Sequence, residues 1–181
     1  MNKTSRQLAL LRGINIGGHH KVPMAELSRE LEKIGFRNIS TVLNSGNVIF
    51  DASSAPAEEV EDRIGTHLER VFGFPVPVMV RDDSDIFALT TDNPFQHVEG
   101  TKNTRFYLSF LKQAPSIRLN TPWFSDDQSF CILEIRGKTV CSLLDLSVTQ
   151  TPKGMDALEQ LFGKNITTRS WNTIQRIVGK I

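Results

Sequence analysis

The stretch QLALLRGINIGGHHKVPMAELSRELEKIGFRNISTVLNSGNVIF, residues 7–50, decides the fold. Gln7 to Leu11 is an apolar run that reads as a strand, and a Gly-rich turn follows it. Met24, Leu27, Leu31 and Ile34 then fall at helical spacing before Gly35 stops the helix. Ile39 to Leu43 and Val48 to Phe50 are short β-rich runs flanking Asn44-Ser45-Gly46-Asn47, a hairpin signal. Working outward, Val60, Ile64, Leu68 and Val71 mark a second helix, and Val76 to Val80 a last strand.

The resulting order is β-α-β-β-α-β, the split βαβ pattern of ferredoxin-like folds. A right-handed crossover makes the first and second strands parallel and leaves the third between them. The turn after the first strand and the hairpin turn then emerge at one end of the sheet. Arg12, Asn15, Lys21, Asn44, Ser45 and Asn47 are expected to converge there. A two-residue Ser45-Gly46 turn would set Asn44 opposite Asn47.

Beyond Val80, Asp83 or Ser84 caps a short helix through Ile86, Phe87 and Leu89, which Asn93-Pro94 stops. Gln96 to Asn103 reads as loop or linker. Phe106 to Leu111 and a hairpin over Phe130 to Leu146 are strands, separated by the Pro-bounded stretch Pro115 to Pro122. Met155, Leu158, Leu161 and Phe162 mark a helix, and Trp171, Ile174, Ile177, Val178 and Ile181 a terminal one. The expected fold class is therefore α+β. Residues 1–82 form a ferredoxin-like domain, 83–103 a helix and linker, and 104–181 a smaller α+β domain with a C-terminal helix. One reading of that second order is a degenerate repeat of the first with its middle helix shortened.

With 181 residues, 39% hydrophobic and 23% charged, the chain is long and apolar enough to bury a real core. A formal charge of +1 supplies no global field for gripping a polyanion, so any nucleic-acid contact must be local. The apolar run Leu8 to Leu11 is too short for a signal-peptide core or a spanning helix, and no later run is longer. No membrane partner is expected, and a cytoplasmic location is. Cys131 and Cys141 fall in a hairpin turning at Gly137-Lys138. That turn places Cys131 opposite Leu144 and Cys141 opposite Glu134, with the thiols on opposite faces, which argues against a disulfide. Their spacing also fits no zinc site.

The chemistry concentrates in the first loop. Arg12, Asn15 and Lys21 stand among Gly13, Gly17 and Gly18, in a turn that opens directly into a helix. This arrangement aims backbone N–H groups and cations at one spot and suits an anionic ligand. With Pro23 as the first helical residue, the cap falls on Val22, which has no side-chain acceptor. Gly17-Gly18 also serves to turn the chain, and the glycine spacing matches neither a dinucleotide fingerprint nor a P-loop. His19 and His20 lack a carboxylate or Cys cluster at ligand spacing, and Asp82, Asp83 and Asp85 precede a helix where acidic caps belong. No metal or cofactor is assigned. Near the C-terminus, Arg169, Asn172 and Thr173 lie off the apolar stripe that Trp171 continues, at the expected helix start, where they could face the first domain's loop.

The strings LLRGINIGG, VPM, NSGNVIF, NPF and TTRSWNT occur in this order over nearly the whole chain. On them the sequence resembles the bacterial domain-of-unknown-function family 1697. The resemblance implies an α+β protein with ferredoxin-like parts and no established activity. Two departures stand out. The family's C-terminal string reads Arg-Asn-Trp-Asn-Thr, with Ser170 here in place of the first Asn. A Gly-rich basic stretch before the penultimate helix is reduced to Thr151-Pro152-Lys153-Gly154.

The leading reading is a protein that binds a small anionic or phosphate-containing ligand at the first-domain loop end through Arg12, Lys21 and backbone N–H groups. Nucleic acid is the less favoured ligand, because the first strand offers Leu8, Ala9 and Leu10, and the third Val48 and Ile49, where an RNA-recognition motif has stacking aromatics. The alternatives are an enzyme, a hydrolase or transferase in which the Asn and Ser turn groups orient a substrate and a loop histidine moves protons, and an interaction module without a small-molecule site. The sequence does not determine the oligomeric state.

Overall fold

The computed structural model describes residues 4–53, 55–149 and 151–181. The chain divides into two units, the first running as far as Ala88 and resuming at Arg176–Ile181, the second spanning Leu89–Gln175. The mixed α+β class holds in both, each built on one sheet whose strand pairs are all antiparallel.

In the first unit the elements are β1 (Thr4–Leu11), α1 (Met24–Lys33), β2 (Arg37–Val42), β3 (Asn47–Ser53), α2 (Ala57–Phe72) and β4 (Val78–Asp82), and α3 (Asp83–Thr91) begins in it and ends in the second. The sheet order is β2-β3-β1-β4, so β3 lies between the parallel β1 and β2 as the crossover rule requires. Helical periodicity presents Leu27 and Leu31 of α1 and Val60, Ile64 and Leu68 of α2 to one face of the sheet, where Ala9, Leu11, Val48, Phe50, Val78 and Val80 complete the core. Each of the large side chains gains about 1.5–3 kcal/mol from leaving water. Leu8, Leu10, Ile49 and Met79 alternate onto the other face and are also fully buried, which explains why β1 reads as a continuous apolar run.

Two expected boundaries shift. Pro23 is the N-cap of α1 rather than its first helical residue, with ψ 130° in the extended region, and no side chain caps the helix. β4 starts at Val78, not Val76, because Pro77 has no N–H to give a ladder.

The second unit contains β5 (Thr104–Leu111), β6 (Trp123–Phe124), β7 (Phe130–Arg136), β8 (Thr139–Asp145), α4 (Thr151–Phe162), β9 (Ile166–Ser170) and α5 (Trp171–Val178), which ends in the first unit. Its sheet order is β6-β7-β8-β5-β9. β6 and β9 are elements the sequence reading passed over. In β9 the β-branched run Ile166-Thr167-Thr168 pairs with β5, so Arg169 lies in a strand opposite Leu108 and not at a helix start.

The β7–β8 hairpin turns at Gly137-Lys138 and sets Arg136 opposite Thr139 and Glu134 opposite Cys141, as expected. A bulge between Ile132 and Glu134 then shifts the register by one residue. Cys131 therefore faces Leu143 instead of Leu144, and both cysteines share one face of the sheet. They are buried free thiols.

Candidate functional site

Three loops meet at the end of the first sheet where β1 stops and α1 begins: residues 12–23, 43–46 and 73–77. Backbone bonds join them. The N–H of Leu11 donates to Gly46 O at 2.8 Å, and the N–H of Arg12 donates to Pro77 O at 2.9 Å. The convergence expected from topology thus follows from two consecutive amides at the end of one strand, each taken by a different loop.

Asn15 supplies the side-chain brace. Its Nδ2 donates to Asn44 O at 2.8 Å and to Val22 O at 3.0 Å, while its Oδ1 accepts the N–H of Val22 at 2.8 Å. A positive φ of 56° aims the amide this way, a conformation Asn tolerates better than most residues. Beyond it, His19 N–H donates to Ile16 O at 3.0 Å across Gly17-Gly18, whose φ values of 58° and 79° have the signs a type I′ turn requires. The glycine pair therefore closes a miniature hairpin inside the loop. His20 stacks on Phe74 with ring centroids 4.3 Å apart, and its Nδ1 lies 3.2 Å from Gly13 O.

The hairpin turn differs from the expected one. Val42 pairs with Asn47, so the loop is Leu43–Gly46 and Asn44 does not face Asn47. Asn47 is a fully buried strand residue whose Nδ2 donates to Val42 O at 2.8 Å and Ser45 Oγ at 3.0 Å. A tertiary contact sets this register. Gly46, at φ 76°, passes so near β1 that a Cβ there would sit 2.7 Å from Leu11 Cβ and 2.9 Å from Ile14 Cδ1. Local turn preference alone would have chosen a tighter loop.

The family is decided by a match of residues 4–123, more than half the chain, to the family described as Protein of unknown function (DUF1697). The chain belongs to the DUF1697 family. No curated protein matches it. Among solved structures, that of conserved bacterial protein SP0830 from Streptococcus pneumoniae superposes with a TM-score of 0.71 at 21% identity, covering 98% of each chain. At that identity the likeness establishes a shared fold.

Within this DUF1697 chain the loop end of the first unit is cationic. Residues 12–23, 43–46 and 73–77 include Arg12, His19, His20 and Lys21 and no Asp or Glu. Lys21, Gly17 and Gly18 are exposed and Arg12 is half-buried. The first turn of α1 opens onto the same loop without a side-chain cap.

In the second unit, Arg169 is 8% exposed, and its Nη1 donates to Thr167 Oγ1 at 2.8 Å and Thr168 O at 2.9 Å. Burial lowers its pKa to about 10. Trp171 meets Phe95 edge-on with centroids 5.2 Å apart, and Asn172 is exposed. Ser170, the departure from the family string, accepts the N–H of Thr173 at 3.3 Å on Oγ and so caps α5, a role open to Asn as well.

Among the described residues no group of three or more His, Cys, Asp or Glu could hold a metal ion, and no helix is long and apolar enough to cross a membrane. The sequence reading missed the 73–77 loop as part of this end. Its signal was Phe74-Pro75-Val76-Pro77, two prolines that forbid a regular strand and leave carbonyls without a ladder.

Proposed function

We propose that the loop end of the first unit binds a small anionic or phosphate-containing ligand. Arg12 and Lys21 supply charge, and the open first turn of α1 supplies backbone N–H groups. The observation that carries this reading is the sign of the charge. Three loops knit into one surface hold four basic or titratable nitrogen side chains and no carboxylate, and the first turn of α1 adds one acidic residue, Glu26. Asn15, Asn47 and Gly46 build the frame, and their side-chain bonds are spent on it. Arg169, Trp171 and Asn172 are the second unit's candidates for the same ligand class. A nucleic-acid phosphate would meet the same groups, without the aromatic platform that RNA binding normally adds.

The test is a thermal-shift screen of nucleotides, sugar phosphates, carboxylates and short oligonucleotides on wild type and on the Arg12→Ala/Lys21→Ala variant. A compound that raises the Tm of wild type should lose most of that shift in the double variant. Each lost charge-assisted bond costs about 1.5–3 kcal/mol, roughly tenfold or more in affinity. A shift of equal size in both proteins would move the ligand elsewhere, and no shift with any compound would overturn the reading.

A second reading has its own observation. Ile16 is 70% exposed and Leu43 44% exposed, on the two loops that Asn15 and Asn44 join. Exposed apolar side chains at a loop end are what a protein-interaction module would present. Concentration-dependent sedimentation of wild type, abolished in Ile16→Ser/Leu43→Ser, supports that reading over the first. An enzyme using Ser45 is less favoured, because Ser45 Oγ accepts from Asn47 and His20 is committed to Phe74 and Gly13.

A further inference from the structure

The second unit repeats, bond for bond, the device that closes the loop end of the first. Where β5 stops, the N–H of Leu111 donates to Lys138 O at 2.8 Å and the N–H of Lys112 donates to Asn165 O at 3.0 Å. The acceptors belong to the β7–β8 turn and the α4–β9 loop, the counterparts of the β2–β3 turn and the α2–β4 loop. Lys112 thus occupies the position that Arg12 holds in the first unit.

The charge pattern repeats as well. Residues 112–122, 137–138 and 163–165 contain Lys112, Arg118, Lys138 and Lys164 and no Asp or Glu. This loop end holds a cleft of about 250 Å³ between residues 113–117 and 161–165. Pro115, Ile117, Leu161 and Phe162 give it apolar patches beside the polar Gln113, Ser116 and Asn165, Lys164 is the one charged side chain that lines it, and no carboxylate does. Ile117 remains 40% exposed there. The volume lies below the ~300–1,000 Å³ of drug-sized pockets. A cleft of this size with mixed walls and one lysine suits a small amphipathic anion, whose apolar part lies against Pro115, Ile117, Leu161 and Phe162 while its charge meets Lys164.

We propose that this cleft is a separate binding site for a small anion bearing a ring or short alkyl group, a phosphomonoester or a carboxylate. It stands apart from the first-unit reading, since none of its residues belongs to that loop end.

The experiment is amide NMR titration of the full chain with phenyl phosphate and, in parallel, phenylacetate, inorganic phosphate and benzyl alcohol. Saturable shifts are expected at residues 113–117 and 161–165, with phenyl phosphate or phenylacetate binding more tightly than inorganic phosphate or benzyl alcohol. The stronger of the two names the head group. Lys164→Ala, an exposed substitution, should weaken that binding by roughly fivefold to tenfold, Lys164→Arg should retain it, and Arg12→Ala should leave it unchanged. Absence of saturable shifts in these segments, or an affinity unaltered in Lys164→Ala, overturns the proposal. Loss of first-unit binding in Arg12→Ala/Lys21→Ala with this cleft still active separates the two sites.

Discussion

Asn15 Nδ2 donates to the main-chain carbonyl of Asn44 across a 2.8 Å hydrogen bond, joining the loop after β1 to the β2–β3 turn 29 residues later. The same side chain holds both backbone groups of Val22, so one residue fixes the entry into α1 and the position of the hairpin tip.

Asn15→Ala removes three hydrogen bonds and places a poorer residue at positive φ. A loss of about 1–3 kcal/mol is expected, read as a lower urea midpoint with an unchanged slope. Asn15→Asp keeps the acceptor for Val22 N–H but sets a carboxylate oxygen against the Val22 and Asn44 carbonyls, so its midpoint should also fall below that of wild type, despite the retained bond. Hydrogen exchange should accelerate first at residues 15–23 and 43–46.

Gly46→Ala and Gly73→Ala test space against conformation. Both glycines have φ near 76–79°, but a Cβ at Gly73 meets nothing within 4 Å while one at Gly46 collides with Leu11 and Ile14. Gly73→Ala should cost about 1 kcal/mol of conformational strain, and Gly46→Ala a further 1–3 kcal/mol of overpacking. Equal midpoints for the two variants would show that the strand end yields.

Acid should destabilise the first unit through Glu30. Lys33 Nζ at 2.5 Å from Oε1 and then His67 Nε2 at 2.9 Å from Oε2 hold its pKa below the ordinary 4.5, against the opposing effect of burial. A carboxylate with a depressed folded pKa contributes stability above its unfolded pKa and loses it as pH falls through the folded value. Asp51, lowered chiefly by Asn38 and also by Arg6, acts in the same direction. The unfolding midpoint should therefore drop below about pH 4.5, and Glu30→Gln should flatten that slope. An unchanged slope in Glu30→Gln removes this group from the acid response.

Neither thiol should react in the folded protein. Burial pushes the Cys141 pKa up to about 12 and raises that of Cys131, leaving almost no thiolate at pH 8. A chromogenic disulfide reagent should register no fast thiol in native protein and both in urea. A fast native reaction would mean that the sheet opens locally.

The elements with strong periodicity were legible in the sequence: α1 and α2 from their apolar spacing, β1 and β3 from their runs, and the β3-between-β1-and-β2 order from handedness. The convergence of Asn15 with Asn44 followed from that order. What escaped depended on contacts distant in sequence. Asn47 enters a strand because Gly46 must pass beneath Leu11, which no local turn preference encodes. Cys131 changes face because one bulge intervenes before Glu134. Strand β9 is recognisable only beside β5, and the 73–77 loop joins the site through a carbonyl on Pro77, not through a side chain.

Each sheet's loop end hangs from two main-chain amides, Leu11 with Arg12 and Leu111 with Lys112, and apart from the bare Gly46 that lets its loop reach Leu11, these four bonds use main-chain atoms alone. Substitutions among the exposed loop residues can therefore rewrite recognition without disturbing the frame beneath. Under the two binding proposals, such a chain has two surfaces on which specificity drifts independently, one held constant while the other explores new chemistry.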